Sequence, residues 1–352
     1  MVPGRDLLET LKFLAPGTPL REGLENIVRA RTGALIVVAD YERIKELVDG
    51  GISIEAEMTP ALLYELAKMD GAIILSKDGK TIRHANAQLL PDPHIPSTET
   101  GIRHRTAERV AKQTGDLAIA ISQRRNVITL YKDGWKYALE DIAFMVTKAN
   151  QAIQTLEKYK AVLDQSLTNL TILEFDDLVS LSDVVSSLQR IIMVLRVKSE
   201  IEKYISELGV EGRLVRMQLQ ELVADVDDEG VLITRDYAVE EPKHPDSLFQ
   251  QILEESSDEP LNPAGVTRAL GYSASLSALD LSVTPRGYRI LRKIPRLPMA
   301  VIENLVAEFG SLQRVLAADA DRLDEVEGIG EVRAAAIVNG LRRLREYVAL
   351  DR

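Results

Sequence analysis

Residues 140–208 contain neither glycine nor proline, the two residues that most readily interrupt a helix. Within them, AFMVTKANQAIQTLEKYKAVLDQSL and SLSDVVSSLQRIIMVLRVKSEIEKYISEL repeat apolar residues at i, i+3, i+4 and i+7, the spacing of one face of an α-helix. A chain with this centre must be organised around long amphipathic helices, extending to about residue 223, with separate structure on either side. Their apolar faces read as packing surface, with a partner-binding groove as the alternative. The acidic stretches 225–230 and 239–245 read as loops.

Upstream, up to about residue 139, the pattern alternates. It predicts helices over 20–30, 41–48, 61–69 and 105–113, and strands over 34–38, 72–75, 82–87, 117–122, 127–131 and 135–139. Thr59-Pro60 supplies an N-cap and a first-turn proline for the third of these helices. Alternating strands and helices imply an α/β sheet covered by helices, and hairpin signals at Asp78-Gly79 and Asp133-Gly134 make that sheet mixed.

Asp-Gly occurs four times, beginning at Asp49, Asp70, Asp78 and Asp133. Most such pairs are turns. Asp70-Gly71 differs from Asp78-Gly79 because it joins a helix to a strand, where no hairpin is needed. A second stretch, Thr100-Gly101-Ile102-Arg103-His104-Arg105-Thr106, lies at the start of a helix. Helix N-termini favour anions and arginine forks match phosphate geometry, so this segment suits a polyphosphate, with Thr106 as a candidate cap. Asp70 could hold a divalent metal or deprotonate a hydroxyl while the arginines neutralise a triphosphate. The alternatives are a plain turn and a solvated basic surface. His84, His94 and His104 cluster in sequence, but their ten-residue spacing fits no usual zinc pattern.

At the C-terminal end, DRLDEVEGIGEVRAAAIVNGLRRL reads as a helix, the turn Gly328-Ile329-Gly330 and a second helix. The glycines let the backbone approach a phosphate, and Ile329 would plug the gap between the helices. The pattern resembles the helix-hairpin-helix DNA-binding motif, with Leu323, Val326, Ile329, Ala334 and Ile337 as its apolar positions and Arg333, Arg342 and Arg343 as candidate phosphate contacts. LRKIPRLPMAVIENLVAEFGSLQRVL is similar to a degenerate first copy, with Leu297-Pro298-Met299 in place of the glycine turn. The bland alternative is an αα-hairpin that happens to use glycine.

Composition narrows the classes. The chain of 352 residues has a net charge of −11, which argues against a surface that is basic throughout, as general nucleic-acid coating requires. Residues 286–352 hold 12 basic and 10 acidic residues, a net +2, against −13 for the remainder. If nucleic acid binds, this end is where it does so. No cysteine is present, so disulfides and thiolate metal sites are excluded. No apolar run approaches a membrane span, and the N-terminal sequence does not read as a secretory signal. A cytoplasmic location is expected.

Asp70-Gly71-Ala72 and Arg103-His104-Arg105, within TGIRHRTAERVAKQTGDLAIAISQRRNVITLY, closely resemble the cyclase domain of the DNA integrity scanning (DisA) family of diadenylate cyclases. The resemblance spans the whole chain. It implies an α/β domain with a mixed sheet at 1–145, an all-α spine at 146–285 and a helix-hairpin-helix DNA-binding domain at 286–352. It further implies synthesis of cyclic di-AMP and pyrophosphate from two ATP with Mg²⁺ or Mn²⁺, a homo-octamer with face-to-face cyclase domains, and binding of branched DNA such as Holliday junctions by a prokaryotic, nucleoid-associated protein without a membrane partner. By position, Asp70, Gly71 and Ala72 would sit beside the ribose and the attacked phosphate, with Asp70 the metal residue. Arg103, His104, Arg105 and Thr106 would grip phosphates, and Leu89 and Ser122 would line the pocket. Ile102 stands where many relatives have threonine.

Two other readings compete. A DNA-repair scaffold that senses nucleotide would bind ATP without making product. A structure-specific nuclease would need a carboxylate cluster, and no such spacing is visible.

Overall fold

In the computed structural model, residues 5–255 and 262–350 are described. The chain forms two compact units. One comprises the chain up to Asn150 with Lys203–Arg216, the other Gln151–Glu202 with the chain from Met217 onward.

The first unit runs α1 (Arg5–Phe13), α2 (Pro19–Arg29), β1 (Ala34–Val38), α3 (Tyr41–Ile44), β2 (Val48–Asp49), β3 (Ile52–Glu57), α4 (Pro60–Leu66), β4 (Ala72–Leu75), β5 (Thr81–Leu89), α5 (Ile102–Thr114), β6 (Leu117–Ser122), β7 (Val127–Lys132) and β8 (Trp135–Ala138). The strands order β2-β5-β4-β1-β6-β7-β8, with β3 also on β5. The β1–β4 pair is parallel and its neighbours are antiparallel, so the sheet is mixed as expected.

Both faces of this sheet are covered, which is why β1, β4 and β6 read as unbroken apolar runs. Ala34, Ile36 and Val38 face one core with Leu24, Ile27 and Leu63 of α2 and α4. Leu35 and Val37 face the other with Ala107, Val110 and Ala111 of α5. Ala118 and Ala120 on that side leave room for α5 to approach. Each valine, leucine or isoleucine side chain so removed from water contributes about 1.5–3 kcal/mol.

The Asp78-Gly79 pair is a hairpin turn. Ser76 donates its N–H to the Thr81 carbonyl at 2.9 Å, and Asp78 accepts the Lys80 N–H at 3.1 Å. Thr59 caps α4 by accepting the Leu62 N–H at 3.2 Å, with Pro60 following.

Four local expectations are corrected. The helix expected over 41–48 stops at Ile44. A 3-10 turn follows, and Val48 pairs with Leu89, because a β-branched residue beside an open strand edge gains ladder hydrogen bonds there. Ile52–Glu57 is a strand on β5 that was not expected. The helix expected to start at 105 starts at Ile102, with Gly101 as its N-cap, so Arg103, His104 and Arg105 form its first turn and Thr106 is not the cap. The acidic stretch 225–230 is the first turn of a helix, where Asp227, Asp228 and Glu229 complement the dipole.

The long helices are α6 (Ile142–Asp176) and α7 (Leu181–Leu208), followed by α8 (Arg213–Leu222), α9 (Val226–Tyr237), α10 (Pro245–Glu255) and α11 (Pro263–Ala269). The chain continues through α12 (Tyr288–Arg292), α13 (Met299–Phe309), α14 (Leu312–Ala317), α15 (Ala320–Asp324) and α16 (Glu331–Leu350). One core joins Phe175 and Leu232 to these last helices.

Candidate active site

The site lies at one end of the sheet in the first unit. β1 and β4 begin there, and the antiparallel β5 and β6 finish there. The register sets Leu35 beside Ala72 and Ala72 beside Ala87, and all three line one cavity of about 750 Å³. That volume lies within the roughly 300–1,000 Å³ of small-molecule sites.

Asp70 and Gly71 enter this cavity ahead of β4, and Arg103, His104 and Thr106 enter from the first turns of α5. Ala72, Leu89 and Ser122 also line it, at strand ends. Residues far apart in sequence thus converge because four strand ends and one helix N-terminus meet. Asp70 is exposed to solvent.

Gly71 has φ +94°, and a Cβ there would lie 2.8–3.0 Å from backbone atoms of Asn86 and Ala87. Glycine is therefore required by the close approach of β5, whether or not a nucleotide also approaches. Gly33 has a related role. A Cβ on it would run into the Arg103 guanidinium, so the absence of a side chain lets Arg103 lie over the start of β1.

Arg105 is not part of the cavity lining. Its guanidinium donates to the carbonyls of Glu99 and Thr100, at 3.2 and 3.3 Å, and so holds the chain that enters α5. The resemblance assigned it to phosphate; in this structure it binds backbone.

The His104 ring stands edge-on to Tyr131, with centroids 6.4 Å apart and planes at 81°. Burial lowers its pKa below the ordinary histidine value. Lys136, Arg125 and Arg103 act in the same direction and Glu99 opposes them. His104 is consequently a neutral hydrogen-bonding group near pH 7.

Among the lining residues that the sequence reading missed are Glu99, Gln123, Arg124 and Arg125. The arginine pair lies in the turn between β6 and β7, a signal that was visible in SQRRN but had no partner until the sheet brought it to the site. Glu99 is 14% exposed, accepts from the Tyr131 hydroxyl at 2.9 Å and pairs with Lys136. Burial works to raise its pKa, but the Lys136 and Tyr131 hydrogen bonds outweigh this and hold it below the usual value.

Among the described residues no three histidine, aspartate or glutamate side chains converge as a metal cluster. His84 instead stacks on Tyr41, with ring centroids 4.7 Å apart.

Comparison with known proteins follows this geometry. The family described as DisA bacterial checkpoint controller nucleotide-binding matches residues 21–135, and its linker region matches 139–279. A DNA integrity scanning protein DisA from Carboxydothermus hydrogenoformans is 62% identical over 96% of each chain. Those from Bacillus licheniformis and Bacillus subtilis are 58% and 57% identical over 99% of this chain and 97% and 96% of theirs.

The chain belongs to the DisA family. Its nucleotide-binding region contains the whole cavity, and the chain is a diadenylate cyclase. No helix among the described residues is long and apolar enough to cross a membrane.

In the second unit, the turn Gly328-Ile329-Gly330 precedes α16, and Leu323, Val326, Ile329, Ala334 and Ile337 are all buried. A cavity of about 740 Å³ lies between this turn and Ile294, Pro295, Arg296 and Leu297. Arg333 lines it, together with Arg296, which the sequence reading passed over. Arg342 and Arg343 are exposed further along α16, beginning about 16 Å from its start at 1.5 Å per residue.

Proposed function

We propose that the chain condenses two ATP molecules into cyclic di-AMP with release of two pyrophosphates, and that branched DNA bound at its C-terminal helices modulates this reaction. The observation that carries the chemistry is the convergence of Asp70-Gly71 and the first turn of α5 on one cavity.

Each 3′-hydroxyl attacks the α-phosphate of the other nucleotide, its proton leaves to Asp70 or to water, and pyrophosphate departs. Arg103 and the free N–H groups at the start of α5 offset the phosphate charge. His104, in the first turn of α5, offers a hydrogen bond there. Leu35, Ala72 and Leu89 supply apolar surface for the purine.

Asp70 would hold the divalent cation, Mg²⁺ or Mn²⁺. The donor set fits, since a site with no cage of three protein ligands among the described residues suits a cation carried mainly by substrate phosphates and water. Bound there, it supplies positive charge against the α-phosphate as the pyrophosphate leaves.

One cavity serves one ATP, so two copies must face each other for both bonds to form. Ile102, which lines the cavity and is 82% exposed, supports this arrangement, since a facing copy would cover it. Higher assembly to an octamer follows the family. A cytoplasmic, nucleoid-associated location accords with this chemistry.

DNA is assigned to the Gly328-Ile329-Gly330 turn, Arg296, Arg333, Arg342 and Arg343. Such contacts grip phosphates and read shape.

The test is incubation of the purified chain with ATP and Mg²⁺ or Mn²⁺, with nucleotides separated and identified by mass. Cyclic di-AMP with pyrophosphate is expected. Unchanged ATP from a folded protein that retains nucleotide and branched DNA would leave a nucleotide-sensing scaffold instead.

A further inference from the structure

A carboxylate in a cavity suited to a triphosphate is electrostatically out of place, and Glu99 is such a carboxylate. Its charge is already engaged. Tyr131 on β7 and Lys136 on β8 are direct cross-strand neighbours, and both side chains meet Glu99 Oε1. Tyr131 is 1% exposed, so without Glu99 its hydroxyl loses its acceptor in the interior, at an appreciable cost.

The backbone around Glu99 has a second task. The Glu99 and Thr100 carbonyls accept the Arg105 guanidinium, and Gly101, two residues on, caps α5. The preceding loop is tied to α5 itself, since Arg109 donates to the Ile95 carbonyl and Lys112 to the Pro96 carbonyl, each at 2.9 Å. Glu99 ties the same strap to the sheet. The aromatic ring against which His104 stands edge-on belongs to the tyrosine that Glu99 holds.

We propose that Glu99 is a positioning residue for the cyclase reaction, clamping the 99–101 strap to the β7–β8 ladder through Tyr131 and Lys136 and thereby fixing His104 and the start of α5. It neither touches the phosphates nor holds the cation. This rests on the cyclase reading of the cavity, and the test separates the two.

The first measurement needs no turnover. The chain has four histidines, so the imidazole resonances of nucleotide-free protein can be assigned with His104→Asn. Glu99→Ala and Tyr131→Phe should each move the His104 signals, because the ring beside His104 shifts when its hydroxyl bond to Glu99 is lost, and Tyr131→Phe does so with the Glu99 charge still in place, while those of His94 and His244 stay in place. The second measurement is steady-state cyclisation. A misplacement near 1 Å costs on the order of 100-fold in rate, so Glu99→Ala should lower kcat roughly 10- to 100-fold with KM for ATP shifted less than about threefold. Glu99→Gln, which keeps an acceptor for Tyr131, should recover part of the loss, and Glu99→Ala with Tyr131→Phe should be no worse than Glu99→Ala alone.

Unmoved His104 signals would overturn the proposal even if the parent protein makes no product. A KM that falls on Glu99→Ala with kcat retained would identify Glu99 as mere repulsion. Activity restored by excess Mg²⁺ or Mn²⁺ would make it a cation ligand. Either result also overturns the proposal.

Discussion

Arg289 and Glu174 form an ion pair inside the second unit, both with 0% side-chain exposure. The pair joins the end of α6 to α12, and Thr171 accepts a further hydrogen bond from Arg289 at 2.8 Å. Tyr237 donates to Glu174 at 2.8 Å. Burial works against the arginine's charge, but Glu174 and Glu229 more than compensate and raise its pKa.

Removing Glu174 leaves the buried Arg289 charge with only the longer contact to Glu229, at 3.6 Å, to offset it. Glu174→Ala should therefore destabilise the protein by about 3–5 kcal/mol, whereas replacing both partners with apolar residues of similar volume should cost much less. Denaturant melts of the single and double variants measure the difference. Equal losses would mean that the pair does not act as a unit.

Asp70→Asn is expected to abolish cyclic di-AMP formation while leaving folding and DNA retention intact, because the side chain is exposed at the cavity and supports no core contact. Product assay beside circular dichroism and a DNA-shift assay checks all three. Activity equal to that of the parent would remove Asp70 from the reaction.

Gly71→Ala should destabilise the first unit as well as impair it. The left-handed backbone costs a non-glycine residue roughly 1–2 kcal/mol, and the contact with Asn86 and Ala87 adds to this. A lowered melting temperature without nucleotide is the expected outcome; an unchanged one would show that β5 can yield.

The depressed His104 pKa fixes a direction for pH dependence. The unfolded histidine, with a pKa of about 6.5, takes up a proton before the folded one does. Its contribution to stability is therefore constant above about 6.5 and falls as pH drops from there through the lower folded value. His104→Asn should flatten this part of the profile, measured by denaturant melts from about pH 5 to about pH 8.

Charge reversal at Arg342 and Arg343 should weaken binding to branched DNA and leave basal cyclisation unchanged. Arg296→Glu, beside the glycine turn, should do the same. Each lost phosphate contact should reduce the slope of log affinity against log salt by about one. An unchanged slope in all three variants would move the DNA interface away from α16 and its neighbouring turn.

Much of the architecture was legible in periodicity and punctuation. The strands Ala34–Val38, Ala72–Leu75 and Leu117–Ser122 read correctly because burial on both faces demands continuous apolar runs. The long helices were visible because residues 140–208 hold no glycine or proline, and for the same reason the break between Asp176 and Leu181 gave no signal. The start of α5 was placed late because glycine is a weak N-cap signal and the basic residues after it resemble a loop. The strand Ile52–Glu57 was missed although its residues alternate, since it is mostly exposed and gains its order from pairing with β5.

The sequence by itself determined most of the element types and the family, since these follow from local spacing and residue type. The tertiary structure decided which residues share a cavity and what each is free to do. Arg103 and Arg105 are two residues apart and chemically identical, yet one reaches the cavity while the other is held by backbone carbonyls. Glu99 gave no local signal, because its partners Tyr131 and Lys136 come to it only through the β7–β8 register. Side-chain direction and long-range pairing depend on how strands are laid beside one another, and local sequence spacing does not encode that.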